Sequence, residues 1–69
     1  MPPTPRLTAK QVIKRLKAEG FVEASQKGSH LKLFNVDTRR TAIVPVHSSK
    51  IMPIGTLKAI EKQSGIKFS

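Results

Sequence analysis

Lys27-Gly28-Ser29-His30-Leu31-Lys32-Leu33-Phe34-Asn35 is the stretch that decides how this chain folds. A lysine followed by Gly-Ser is a turn signal. From His30 onward the residues alternate. Leu31 and Leu33 fall on one side of an extended strand, and His30 and Lys32 fall on the other. Such a strand has one buried face and one wet face, as antiparallel sheets commonly do. The turn before it calls for a partner upstream, and Phe21 to Gln26 reads as that first strand. Asn35-Val36-Asp37-Thr38-Arg39-Arg40 reads as the next turn, and the β-branched run Thr41 to Val46 as a third strand. Pro45 cannot donate to a ladder, so it is expected at a strand end or an edge.

Helices flank the strands. Thr8-x-x-Gln11 reads as a capping box, opening a helix from about Ala9 to Glu19. Ala9, Val12, Ile13 and Leu16 share one arc of it, the core face. Lys10, Lys14 and Lys17 form a separate stripe, read as a solvated face. Gly20 fits the left-handed position after a helix, with Phe21 folding back onto the last turn. A second helix is expected from about Gly55 or Thr56 to Ser64, closed by Gly65. The order is helix, three strands, helix. Short connections imply an antiparallel meander with both helices on one face, a two-layer α+β sandwich of the kind seen in double-stranded-RNA-binding domains.

The chain has 69 residues, room for one small domain. Its three N-terminal prolines suggest an extended tail, so residues 1–7 are expected to be disordered and 8–69 to form the domain. That tail has no apolar stretch of the kind a secretory leader needs, and no run elsewhere is long enough to cross a membrane. Cysteine is absent, which removes disulfides and thiolate zinc sites and fits a reducing cytoplasm. Thirteen Lys and Arg against four Asp and Glu give a net charge of +9. Such a field attracts polyanions: RNA, DNA, an anionic membrane or an acidic protein. A membrane surface fits least, because no helix pairs its basic residues with a large apolar face.

Few chemistries remain open. Two histidines and four scattered acids give no metal-ligand spacing, and no glycine-rich phosphate loop is present, so no metal or cofactor is expected. What is left is histidine acid–base chemistry beside positive charge. RNA cleavage needs little more. The ribose 2′-hydroxyl is the nucleophile, a base takes its proton, an acid protonates the leaving 5′-oxygen, and cations stabilise the phosphorane. Histidine can play either proton role near neutrality. His30 follows a Gly-Ser turn whose N–H groups can approach a phosphate, with Lys32 on its own face. An exposed histidine in a hairpin is the plain alternative. His47, after Pro45-Val46, reads as a second acid–base group, a phosphate contact or a capping residue. A non-catalytic RNA-binding module of the same fold is the rival function. With three Phe and neither Tyr nor Trp, no stacking platform for single strands is visible.

The order Gly20-Phe21, Lys27-Gly28-Ser29-His30, Pro45-Val46-His47, Gly55-Thr56-Leu57 and Gly65 resembles the HicA toxin family over about Thr8 to Ile66. Each fragment alone is weak, but all of them in this order and spacing are specific. The resemblance implies a double-stranded-RNA-binding-like fold. It implies a ribosome-independent ribonuclease acting on messenger RNA and transfer-messenger RNA in the bacterial cytoplasm, with His30 as its catalytic residue. On that reading Lys27, Lys32, Arg39, Arg40 and His47 hold the substrate, and Gly28 and Ser29 let it approach the backbone. A HicB antitoxin partner is implied too, and contact with DNA only through that antitoxin. Leu31 and Leu33 stand where the family often has more polar or aromatic residues, which bears on substrate grip rather than on the catalytic position.

Overall fold

The computed structural model describes residues 6–46 and 50–68. Helix α1 (Ala9–Ala18) leads into strands β1 (Val22–Lys27), β2 (His30–Phe34) and β3 (Thr41–Pro45), and helix α2 (Ile54–Ser64) follows. The strands form one antiparallel sheet in the order β1-β2-β3. This is the expected α+β arrangement.

Local chemistry explains the boundaries. Thr8 Oγ1 accepts the Gln11 N–H at 3.3 Å, and Gln11 Oε1 accepts the Thr8 N–H at 2.9 Å. Two otherwise orphaned donors at the start of α1 are thereby satisfied. At its far end the Phe21 N–H donates to Leu16 O and the Gly20 N–H to Lys17 O. That pair of bonds is a Schellman motif, and it requires the left-handed backbone that Gly20 adopts at φ +99°. Phe21 is thereby folded into the core and does not start the strand; β1 begins one residue later. The β1–β2 connection is also tighter than expected. Lys27 is the last residue of β1, paired with His30, and only Gly28-Ser29 turn the chain. Gly28 has φ +58°, the kind of conformation a two-residue hairpin demands at its corner.

Both helices cover the same face of the sheet. Val12 and Leu16 of α1, Leu57 and Ile60 of α2, and Leu31, Leu33, Ala42 and Val44 of the sheet form one buried cluster with Phe21, Met52 and Phe68. Burying each of the larger aliphatic side chains contributes about 1.5–3 kcal/mol. Leu7 packs against this cluster, and its carbonyl accepts the Met52 N–H at 2.7 Å. Leu7 is thereby tied to the segment that leads into α2. Phe68 closes the other end: its N–H donates to the Glu61 carboxylate at 2.7 Å, and the Arg15 guanidinium stands 6.0 Å over its ring.

The sheet's two edges differ. Pro45 ends β3, as expected of a residue with no N–H to donate. The Ile43 N–H, pointing away from β2, donates to Gln63 Oε1 of α2 at 3.0 Å. On the opposite edge every residue of β1 is exposed, and a bulge interrupts its pairing between Glu23 and Ser25. Bulges and charges on an edge discourage pairing with other chains.

Candidate functional site

The face of the sheet without helices carries the residues that chemistry would use. Cross-strand register arranges it in three rows. Lys27, His30 and Pro45 make the first, Ser25, Lys32 and Ile43 the second, and Val22, Phe34 and Thr41 the third. Of the first two rows, Ser25, Lys27, His30, Lys32 and Ile43 line an open depression of about 560 Å³. His30 is exposed there, and its imidazole has no hydrogen-bond or ion-pair partner among the described residues. Lys27 and Lys32 are likewise unpaired among them. Another depression, of about 410 Å³, is lined by Ala9, Pro45, Met52, Pro53 and neighbouring residues, with no histidine or carboxylate among the described residues that line it.

The acids are all elsewhere. Glu19 pairs with Arg15 on α1 at 3.2 Å, and Glu23 pairs with Lys17, drawing its carboxylate toward the helix side. Glu61 accepts the Phe68 N–H, and Asp37 lies in the β2–β3 turn. The rows around His30 therefore carry positive charge and no negative charge. Such a surface attracts an anionic ligand.

The turn beside His30 is held firmly. The Ser29 carbonyl accepts the Val46 N–H at 2.7 Å, and Gln26 Nε2 donates to the Gly28 carbonyl at 3.1 Å. Ser29 thus ties the start of β2 to the residue just before His47. His47 itself lies outside the described residues.

The expected site residues do not all gather. Lys27, Gly28, Ser29, His30 and Lys32 share one end of the sheet. Arg39 and Arg40 belong to the β2–β3 turn, at the other end of β2, about 13 Å along a five-residue strand. A strand that turns back after Asn35 must leave them there. Arg39 adopts φ +62° in that turn. The Arg40 side chain lies over the end of α2: a Cβ added at Gly65 would come within 3.2 Å of Arg40 Nε. A cation is favoured beside the carbonyls of a helix C-terminus. Ser25, Ile43 and Phe34 join the bare face although reading the strands singly does not single them out. Hairpin register is the signal that pairs them with Lys32 and Val22.

No three His, Cys, Asp or Glu side chains gather to hold a metal ion among the described residues. No described helix is long and apolar enough to cross a membrane.

The family model described as the HicA toxin of bacterial toxin–antitoxin systems matches residues 9–66, from the first residue of α1 to just past the end of α2. The chain belongs to the HicA toxin family. It is thus a toxin of a bacterial toxin–antitoxin system, and membership implies an antitoxin partner. The match spans the whole bare face, the Gly28-Ser29 turn and His30. No curated protein matches the chain at a significant level.

Proposed function

We propose that this HicA-family chain is a ribosome-independent endoribonuclease that cleaves messenger RNA and transfer-messenger RNA, with His30 as its catalytic residue. One observation carries the reading: an exposed histidine stands beside two lysines on a sheet face without acids, and none of the three has a partner among the described residues. His30 takes the proton of the ribose 2′-hydroxyl, whose oxygen attacks the adjacent phosphorus and expels the 5′-oxygen. Products are a 2′,3′-cyclic phosphate and a 5′-hydroxyl. One imidazole cannot take and give a proton at the same instant, so the leaving oxygen is protonated by water or by a second group. His47 is a candidate for that role, and Lys27 faces His30 directly across the strand pair.

Lys27 and Lys32 hold the non-bridging oxygens and stabilise charge on the phosphorane. The turn at Gly28-Ser29 lets the phosphate approach the backbone. Arg39 and Arg40, at the far end of β2, hold phosphates further along the RNA. The reaction needs no metal ion. A HicB antitoxin binds the toxin in the bacterial cytoplasm and blocks it, and the toxin meets DNA only through that antitoxin.

The test is incubation of purified protein with messenger RNA in EDTA, free of ribosomes. The native chain is expected to cleave, and His30→Ala to lose at least 100-fold in rate with unchanged circular dichroism. Cleavage by the variant at the native rate sinks the assignment. RNA binding without scission by either protein replaces it with a non-catalytic binding module. Activity lost in EDTA and restored by magnesium points to a metal-dependent mechanism instead.

A further inference from the structure

We propose that Phe34 is the base-stacking residue of this surface, so that a single RNA strand lies along β2 from His30 to Phe34 on the bare face of the sheet. The inference rests on the ribonuclease reading above and names how that site grips its substrate.

The chain's three phenylalanines have separate fates. Phe21 and Phe68 are buried in the core. Phe34 is only partly buried and is not among the residues packed against that cluster. The alternation of β2 turns it to the side of His30 and Lys32, opposite Leu31 and Leu33. Its cross-strand neighbours on that side are Val22, which is 59% exposed, and Thr41. The ring stands outside the core cluster, on a strand whose inward positions are filled by leucines, and part of its surface stays uncovered. It is well suited to stack on a flat ligand.

Charge and spacing select the ligand. Lys32 stands between His30 and Phe34 on the same face, so that face offers cation, ring and imidazole in line. No acid interrupts the line. A phosphodiester chain with unpaired bases matches it: Lys32 meets phosphate, Phe34 meets a base, and the scissile phosphate reaches His30. Exposed bases stack on aromatic side chains without regard to sequence, whereas duplex RNA keeps its bases stacked inside. The occupant is therefore a single strand.

The experiment uses the full chain and a 2′-O-methyl oligoribonucleotide, which lacks the nucleophile and cannot be cleaved. Phe34→Trp introduces the chain's sole tryptophan. Its fluorescence is expected to be quenched on binding, with affinity near native. Phe34→Leu keeps apolar bulk without a π-face and is expected to weaken binding about 5- to 150-fold. In cleavage of an unmodified single strand, Phe34→Leu should raise KM by a similar factor while kcat stays within about threefold. An abasic site scanned through the substrate should reproduce the Phe34→Leu loss at one position near the cut, and cost Phe34→Leu nothing further there.

Native affinity and KM in Phe34→Leu overturn the proposal, as does a flat abasic scan. Tighter binding of duplex than of single-stranded RNA, indifferent to Phe34, overturns it too. The two readings fail separately. If His30→Ala is inactive while Phe34→Leu is native-like, the stacking role falls and the nuclease stands. If His30→Ala cleaves normally while Phe34→Leu loses binding, the stacking role stands and the catalytic assignment falls.

Discussion

The two faces of the central sheet come from the same few residues and behave as different materials. Leu31, Leu33, Ala42 and Val44 point to the helices and are at most 6% exposed. His30, Lys32 and Ile43, interleaved with them, face outward and are exposed. A strand repeats every two residues, so neighbours in sequence are opposites in environment. The difference teaches that stability and the proposed function are written into one short segment without competing for positions. Substituting an inward residue should cost folding, and substituting its outward neighbour should cost only what the surface does.

Two positions of β2 that face opposite ways give the sharpest break. His30→Ala is expected to remove at least 100-fold of cleavage with a melting temperature unchanged within error. Leu33→Ala is expected to lose about 2–5 kcal/mol of stability, because Leu33 is fully buried and its truncation leaves a cavity. Domains hold about 0.05–0.15 kcal/mol per residue, so that loss is a large share of what so short a chain has. Urea titration of both variants checks it. The comparison of faces collapses if His30→Ala proves the more destabilising of the two.

Sequence legibility follows the range of the interaction. The capping box at Thr8, the left-handed Gly20, the alternation through β2 and the terminal place of Pro45 depend on residues a few positions apart, and all are readable. Phe21 is the instructive boundary case. Strand propensity and the helix-closing contact both claim it, and burial in the core decides for the latter. The contacts out of reach are long-range. Gln63 capping the edge of β3, Arg40 resting on Gly65, and Asn35 reaching Glu19 depend on helices returning to the sheet. The candidate site shows the same division. His30, Lys32 and the Gly28-Ser29 turn are neighbours in sequence and remain together. Arg39 and Arg40 look close on paper but stand at the other end of the hairpin. Phe34 goes unnoticed because its separation from the other phenylalanines is visible only once the core is filled.

Asn35 sharpens the comparison at the junction between the faces. It is 4% exposed, just after the end of β2. Its Nδ2 donates to the Glu19 carbonyl at 3.1 Å, and its Oδ1 accepts the N–H groups of Asp37 and Thr38 at 2.9 and 3.2 Å. One side chain thus ties the end of α1 to the β2–β3 turn. Asn35→Ala strands these groups and should cost about 1–3 kcal/mol. Asn35→Asp keeps both acceptor bonds but sets a carboxylate against the carbonyl end of a helix. It should cost at least as much as alanine at pH 7, measured by thermal unfolding. A milder loss in the aspartate variant would mean that the turn bonds, and not the tie to the helix, carry the stabilisation.

The smallest effect lies farthest from the bare face. Thr8, itself half-buried, caps α1, and its capping-box partner Gln11 is exposed. Thr8→Ala leaves one helix-terminal N–H to water and should cost about 1 kcal/mol, with Thr8→Ser restoring most of it. The backbone bridge from Thr8 to Ile51 uses no side chain, so the link between the start of α1 and the segment before α2 should survive the substitution. Cleavage by Thr8→Ala is therefore expected to match the native chain wherever the variant is folded, and to fall only as temperature approaches its lowered midpoint. A rate defect far below that midpoint, in a variant whose circular dichroism is native, would show that the helix layer tunes the bare face. The separation of the two faces would then be one of stability alone.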